Sequence, residues 1–143
     1  VNSLSPTDLE LLRALLDRLI PADDFPGAVG AGVEHYIIRQ LAGDLLPKFS
    51  VVAGGLRELE CEAGARHSRS FLALTAAEQD ALLLDLESGR TRYRWQGAPK
   101  IFFDLMVNLA AEGFYADPGN GGNQGSVSWK MIGYDPGVGS EAP

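Results

Sequence analysis

Pro99-Lys-Ile-Phe-Phe-Asp-Leu-Met-Val-Asn-Leu-Ala-Ala-Glu112 is the stretch whose reading decides the fold. Proline suits the first turn of a helix, where its missing N–H is no loss. At helical spacing, Ile101, Phe102, Leu105 and Leu109 make one face, while Phe103, Val107 and Ala110 lie nearly opposite. Only Lys100, Asp104, Asn108 and Glu112 form a polar line, and it is narrow. A helix this apolar around its circumference is central to its domain or shared with another chain. The spacing predicts a helix over about 99–112 that other helices surround.

Those partners can be read on its N-terminal side. Ser5-Pro6-Thr7-Asp8 is a helix start with a cap, an N-terminal proline and a capping-box carboxylate. Leu9, Leu12, Leu16 and Leu19 then recur at helical spacing until Pro21 ends the run, giving a helix at about 6–20. The segment from Ala22 to Gly30 reads as a loop, with Pro26-Gly27 at the centre of a type II turn. Its adjacent Asp23 and Asp24 read as turn and cap residues, because a hard cation wants six or more oxygens. Val33, Ile37 and Leu41 share a face of a second helix at about 30–40, with His35 on the opposite, solvated side. Val52, Leu56, Leu59 and Ala63 line a third helix at about 51–69, weakened near its start by Gly54-Gly55. His67 continues that stripe and reads as a hydrogen-bonded core histidine, whereas Cys61 sits off it and is partly exposed. Leu74-Thr75-Ala76-Ala77-Glu78 carries a second capping box and starts a fourth helix that reaches about Leu86.

Between the fourth and fifth helices, Arg90-Thr91-Arg92-Tyr93-Arg94-Trp95 alternates charge with packing surface. If extended, it sets three arginines on one side and Thr91, Tyr93 and Trp95 on the other. Three readings are open: Trp95 anchoring a solvated connection, a strip docking on the acidic face of a partner protein, and a basic strip for nucleic acid. The last fits poorly with a formal charge of −7, which also suits an anionic membrane surface badly.

The chain of 143 residues suits a single domain, with 45% apolar and 22% charged residues, ordinary globular values. The predicted fold is all-α: a small irregular bundle of about five helices followed by a long ordered loop rich in glycine and aromatics. No apolar run reaches the roughly 20 residues a spanning helix needs. One cysteine excludes an internal disulfide. No nucleophile elbow, Walker loop or haem-attachment motif occurs, and two histidines give little with which to assemble a catalytic group. No catalytic or metal-ligating residue is therefore assigned.

The segment after Glu112 is the most distinctive. Gly113 reads as the end of the helix, and Phe114, Tyr115, Trp129 and Tyr134 as anchors that pin the following loop to the body or to a partner. Asp117, Gly121, Gly122 and Asn123 read as residues that fix the loop's turns, Asp117 by accepting backbone hydrogen bonds. The rival reading of 117–125 is a free-standing small-ligand or metal-binding module, although its spacing is not that of the twelve-residue calcium loop. Residues 136–143 read as a flexible Gly/Pro-rich tail.

Glu112-Gly-Phe-Tyr-Ala-Asp-Pro118, Gly121-Gly-Asn123 and Trp129-Lys-Met-Ile-Gly-Tyr134 resemble the signature of gluconate 2-dehydrogenase subunit 3, as does Ile20-Pro-Ala-Asp-Asp-Phe-Pro-Gly-Ala28. The resemblance implies a small, non-catalytic subunit of a flavin-dependent sugar or polyol dehydrogenase. It implies a companion that stabilises, and helps to export, a large flavoprotein subunit, with a cytochrome c subunit as third partner. FAD would then belong to the large subunit and not to this chain. Phe114, Tyr115, Trp129, Tyr134 and Trp95 are the expected partner-binding residues. The implied location is periplasmic, or membrane-associated through partners, although Val1-Asn-Ser-Leu4 shows no export signal.

Overall fold

The computed structural model describes residues 3–22 and 27–116. Among the described residues there are five α-helices: α1 (Pro6–Leu19), α2 (Val33–Ala42), α3 (Phe49–His67), α4 (Ala76–Glu87) and α5 (Pro99–Tyr115). Single 3-10 turns, Leu46–Lys48 and Phe71–Ala73, lead into α3 and α4. There is no strand among the described residues, so the all-α expectation holds.

Local chemistry sets the helix starts. Ser5 Oγ accepts from the Asp8 N–H at 3.1 Å, and the Asp8 carboxylate accepts from the Ser5 N–H at 3.2 Å. Thr75 and Glu78 repeat this box at the head of α4, at 3.1 and 2.9 Å. Each box satisfies two donors that a helix start otherwise leaves unpaired. No side chain caps α2, which begins three residues later than its periodicity suggests. Gly32 precedes it at φ +76°, a left-handed conformation that favours glycine. Gly27 serves a different need. A Cβ there would meet the backbone of Ile20, Pro21 and Ala22, so the chain passes too close for any side chain. Its neighbour Pro26, and with it the type of turn, lies outside the described residues, as do Asp23 and Asp24.

α5 packs against all four other helices, most extensively against α2 and α4. Its apolar circumference is nevertheless not wholly covered. Phe102, Met106, Leu109, Ala110 and Phe114 are buried on one side, while Ile101 is 64% exposed and Val107 lies at the surface. Sequence periodicity put Ile101 on the packed face and passed over Met106, which is fully buried. Two apolar stripes on one helix look alike until neighbours choose between them.

The helix also runs through Gly113 to Tyr115. Gly113 is therefore not its end, and Phe114 and Tyr115 form the last turn of α5 rather than the start of a loop. A Cβ on Gly113 would come within 2.8 Å of Val33 and 2.9 Å of Tyr36, so the glycine lets α2 and α5 approach. The packing gained there offsets the roughly 1 kcal/mol that an interior glycine costs a helix. Gly55 does the same between α3 and α5, where a Cβ would run into the ring of Phe102.

Candidate functional site

Glu62 is the centre of the most developed polar site. It sits on α3 one turn after Glu58 and has no exposed surface. A buried carboxylate is costly unless its lone pairs are filled. Here Arg66 Nε donates to it at 2.7 Å, the backbone N–H groups of Arg92 and Tyr93 at 2.8 and 3.1 Å, and Trp95 Nε1 at 3.0 Å. Burial pushes the carboxyl's pKa up, but the hydrogen bonds from Arg66, Arg92, Trp95 and Tyr93 outweigh it and hold the group below the ordinary glutamate range. Arg66 continues the network to Asp85 on α4 at 2.8 Å, and Asp85 also accepts from Arg90 at 3.0 Å. One turn back along α3, Glu58 accepts from the backbone N–H groups of Gln96 and Gly97.

Two carboxylates one helical turn apart thus hold the whole connection from Arg92 to Gly97 against α3. The connection has no regular secondary structure, so the helix supplies the acceptors a neighbouring strand would otherwise give. The alternation read from the sequence survives: Thr91, Tyr93 and Trp95 are half-buried, while Arg92 and Arg94 are exposed. Trp95 also lies 6.0 Å from the Phe102 ring, tilted at 43°. Its position is fixed at both ends, by the indole N–H on Glu62 and by the ring on α5.

The pinned connection, α3 and the first turn of α5 enclose a cleft of about 450 Å³. Val51, Gly54, Trp95, Ile101 and Phe102 supply its apolar lining, and Glu58 is its acidic group. Other sequence-singled residues are dispersed. His67 Nδ1 lies 3.6 Å from Glu78, half-buried, and His35 is exposed. Cys61 is exposed, and the Tyr93 phenol is held above its usual pKa chiefly by its interaction with the Cys61 thiol. Phe114 is buried, and Tyr115, 56% exposed, meets it edge-on at 5.2 Å. Trp129, Tyr134, Asp117, Gly121, Gly122 and Asn123 lie outside the described residues, as do the proposed 117–125 ligand loop and the 136–143 tail.

Sequence reasoning did not single out Glu62 or Glu58. Both fall among ordinary helical acids, and apart from Arg66, one turn on from Glu62, the donors they serve lie at least 30 residues further along the chain. The Glu-x-x-x-Glu spacing ahead of an arginine-aromatic connection was the available signal. Among the described residues, no group of three or more His, Cys, Asp or Glu side chains is placed to hold a metal ion. No described helix is long and apolar enough to cross a membrane.

The described residues thus form a small helical domain with a pinned aromatic connection and several apolar side chains at its surface. The chain belongs to the gluconate 2-dehydrogenase subunit 3 family, whose pattern matches residues 6–137. No curated protein and no solved structure matches it.

Proposed function

We propose that this chain is the non-catalytic small subunit of a flavin-dependent sugar or polyol dehydrogenase complex. It stabilises the large flavoprotein subunit and assists its export, and the FAD resides in that partner. Such a complex works in the periplasm or at the membrane, held there by its partners, with a cytochrome c subunit receiving electrons. The family match over 6–137 carries this reading. Apolar side chains standing at the surface, Ile101 and Leu84 above all, support it, because a partner would cover them.

Co-expression of the large flavoprotein subunit with and without this chain tests the proposal. The expected result is a stable, FAD-loaded complex in the exported fraction only when both are present. A flavoprotein that folds, loads FAD and is exported equally well alone would refute it, as would sugar oxidation by the isolated small chain.

A further inference from the structure

We infer that the pocket between the C-terminal end of α3, the exposed face of α4 and Arg92 is where the large subunit docks, seating one of its acidic side chains beside Arg92. This rests on the subunit reading above and locates the contact.

The first observation is a surplus cation. Arg66, His67, Ala77, Glu78, Ala81 and Arg92 line this pocket of about 310 Å³. Arg66 is fully engaged within the chain, Nε on Glu62, Nη1 on Asp85 and Nη2 on the Arg90 carbonyl. Glu78 accepts from Arg69 Nη2 at 2.9 Å and from the Thr75 N–H, also at 2.9 Å. The exposed Arg92 guanidinium makes no hydrogen bond or ion pair among the described residues, in a chain whose formal charge is −7. Its counter-charge must come from outside the chain. A guanidinium presents paired donors that match a carboxylate, and Glu78 in the lining favours one negative charge over the two of a phosphate.

The second is that Arg92 is held in place without use of its side chain. Its backbone N–H donates to Glu62 at 2.8 Å, and Glu62 is bonded to Arg66 on the same pocket. The guanidinium thus starts from a fixed point, which lowers the freedom lost when it binds.

The third is the face of α4 that floors the pocket. Ala77, Ala81 and Leu84 share that face at i, i+4 and i+7, and all three are exposed, Leu84 by 61%. The alanines keep the pocket open, and Leu84 carries apolar surface beyond it. A free anion would leave that surface bare, whereas a protein segment covers it while delivering the carboxylate.

The test measures binding of purified, FAD-loaded large subunit to this chain by titration at about 0.15 M salt, where screening confines exposed charges to about 8 Å. Arg92→Ala, Ala81→Leu and Leu84→Glu are each expected to raise Kd about tenfold, and Arg92→Glu more. Arg92→Lys, which keeps the charge without the fork, should fall between wild type and alanine. The Tm of isolated Arg92→Ala and Ala81→Leu chains should stay at the wild-type value, since neither side chain supports the fold. Lys48→Glu, an exposed charge reversal before the opposite end of α3, should leave Kd within about twofold. Arg92→Ala and Ala81→Leu chains that bind like wild type would overturn the location and leave the subunit reading standing. So would a Lys48→Glu loss as large as that of Arg92→Glu, which would mark general charge attraction. Saturable binding of acetate to the isolated chain that Arg92→Ala abolishes, with docking unchanged, would assign the pocket to a free carboxylate and overturn the partner. A wild-type chain that does not bind the flavoprotein overturns the subunit reading itself.

Discussion

Replacing Glu62 with alanine probes the arrangement most directly. The substitution removes four hydrogen bonds at once, from Arg66, Arg92, Tyr93 and Trp95. Arg66, with only 14% of its side chain exposed, keeps Asp85 but loses its shortest partner. Breaking a buried, charge-assisted pair costs about 3–5 kcal/mol, because the remaining charge stays buried. The two backbone amides and the indole sit near the surface and can regain water if the connection swings out. Each then forfeits about 1 kcal/mol of net hydrogen bonding rather than a full desolvation penalty. Since the swing also lets Arg66 rehydrate, the contributions overlap, and the expected total is about 3–5 kcal/mol. That is a large share of the roughly 5–15 kcal/mol by which domains of this size are stable. Urea unfolding followed by far-ultraviolet circular dichroism should show the loss as a lower midpoint, and thermal melts as a Tm drop of about 10–20 °C. Glu62→Gln, which keeps one acceptor oxygen and the shape, should fall between alanine and wild type. A loss under about 1 kcal/mol for alanine would refute the reasoning, since that is the scale of one ordinary hydrogen bond.

Other substitutions and conditions test separate parts of the fold. Gly55→Ala drives a methyl group into the Phe102 ring and should destabilise by about 1–3 kcal/mol, with Phe102→Leu in the same chain recovering part of the loss in urea unfolding. Trp95→Phe keeps a ring near Phe102 but removes one donor to Glu62; about 1 kcal/mol of stability should go, and an unchanged midpoint would count against the indole bond. Thr75→Ala removes the α4 cap and should lower stability by about 1 kcal/mol, read by the same melts. Acid should act through three carboxyls held below their ordinary range: Glu62, Asp85 bonded by Arg66 and Arg90, and Glu78 bonded by the Thr75 N–H and Arg69. A depressed folded pKa gives stability that is present above the unfolded value, about 4.3 for Glu and 3.9 for Asp, and lost as pH falls through the folded value. The urea midpoint should therefore hold from neutral pH to about 5 and fall below about 4, less steeply in Glu62→Gln. Stability that rises on acidification would contradict the assignment.

Much of the helical layout is legible because its causes are local. The boxes at Ser5–Asp8 and Thr75–Glu78 are formed by residues three apart, and the leucines of α1 repeat within the same segment that they make helical. The arginine-aromatic alternation at 90–95 likewise kept its pattern of burial, with Thr91, Tyr93 and Trp95 half-buried and Arg90, Arg92 and Arg94 exposed.

What tertiary structure decided involves residues that do not know their partners from nearby sequence. Gly113 has the chemistry of a helix end, yet α2 brings Val33 and Tyr36 so near that glycine is the residue that lets the helix pass. Ile101 and Met106 are equally apolar in sequence, and the surrounding helices buried one and left the other at the surface. Glu62 looks like any helical acid until a segment some 30 residues later brings two amides and an indole to it. Periodicity and caps are written over a few residues and can be read there. Burial, close approach and the filling of a carboxylate's lone pairs are properties of neighbours that only folding brings together.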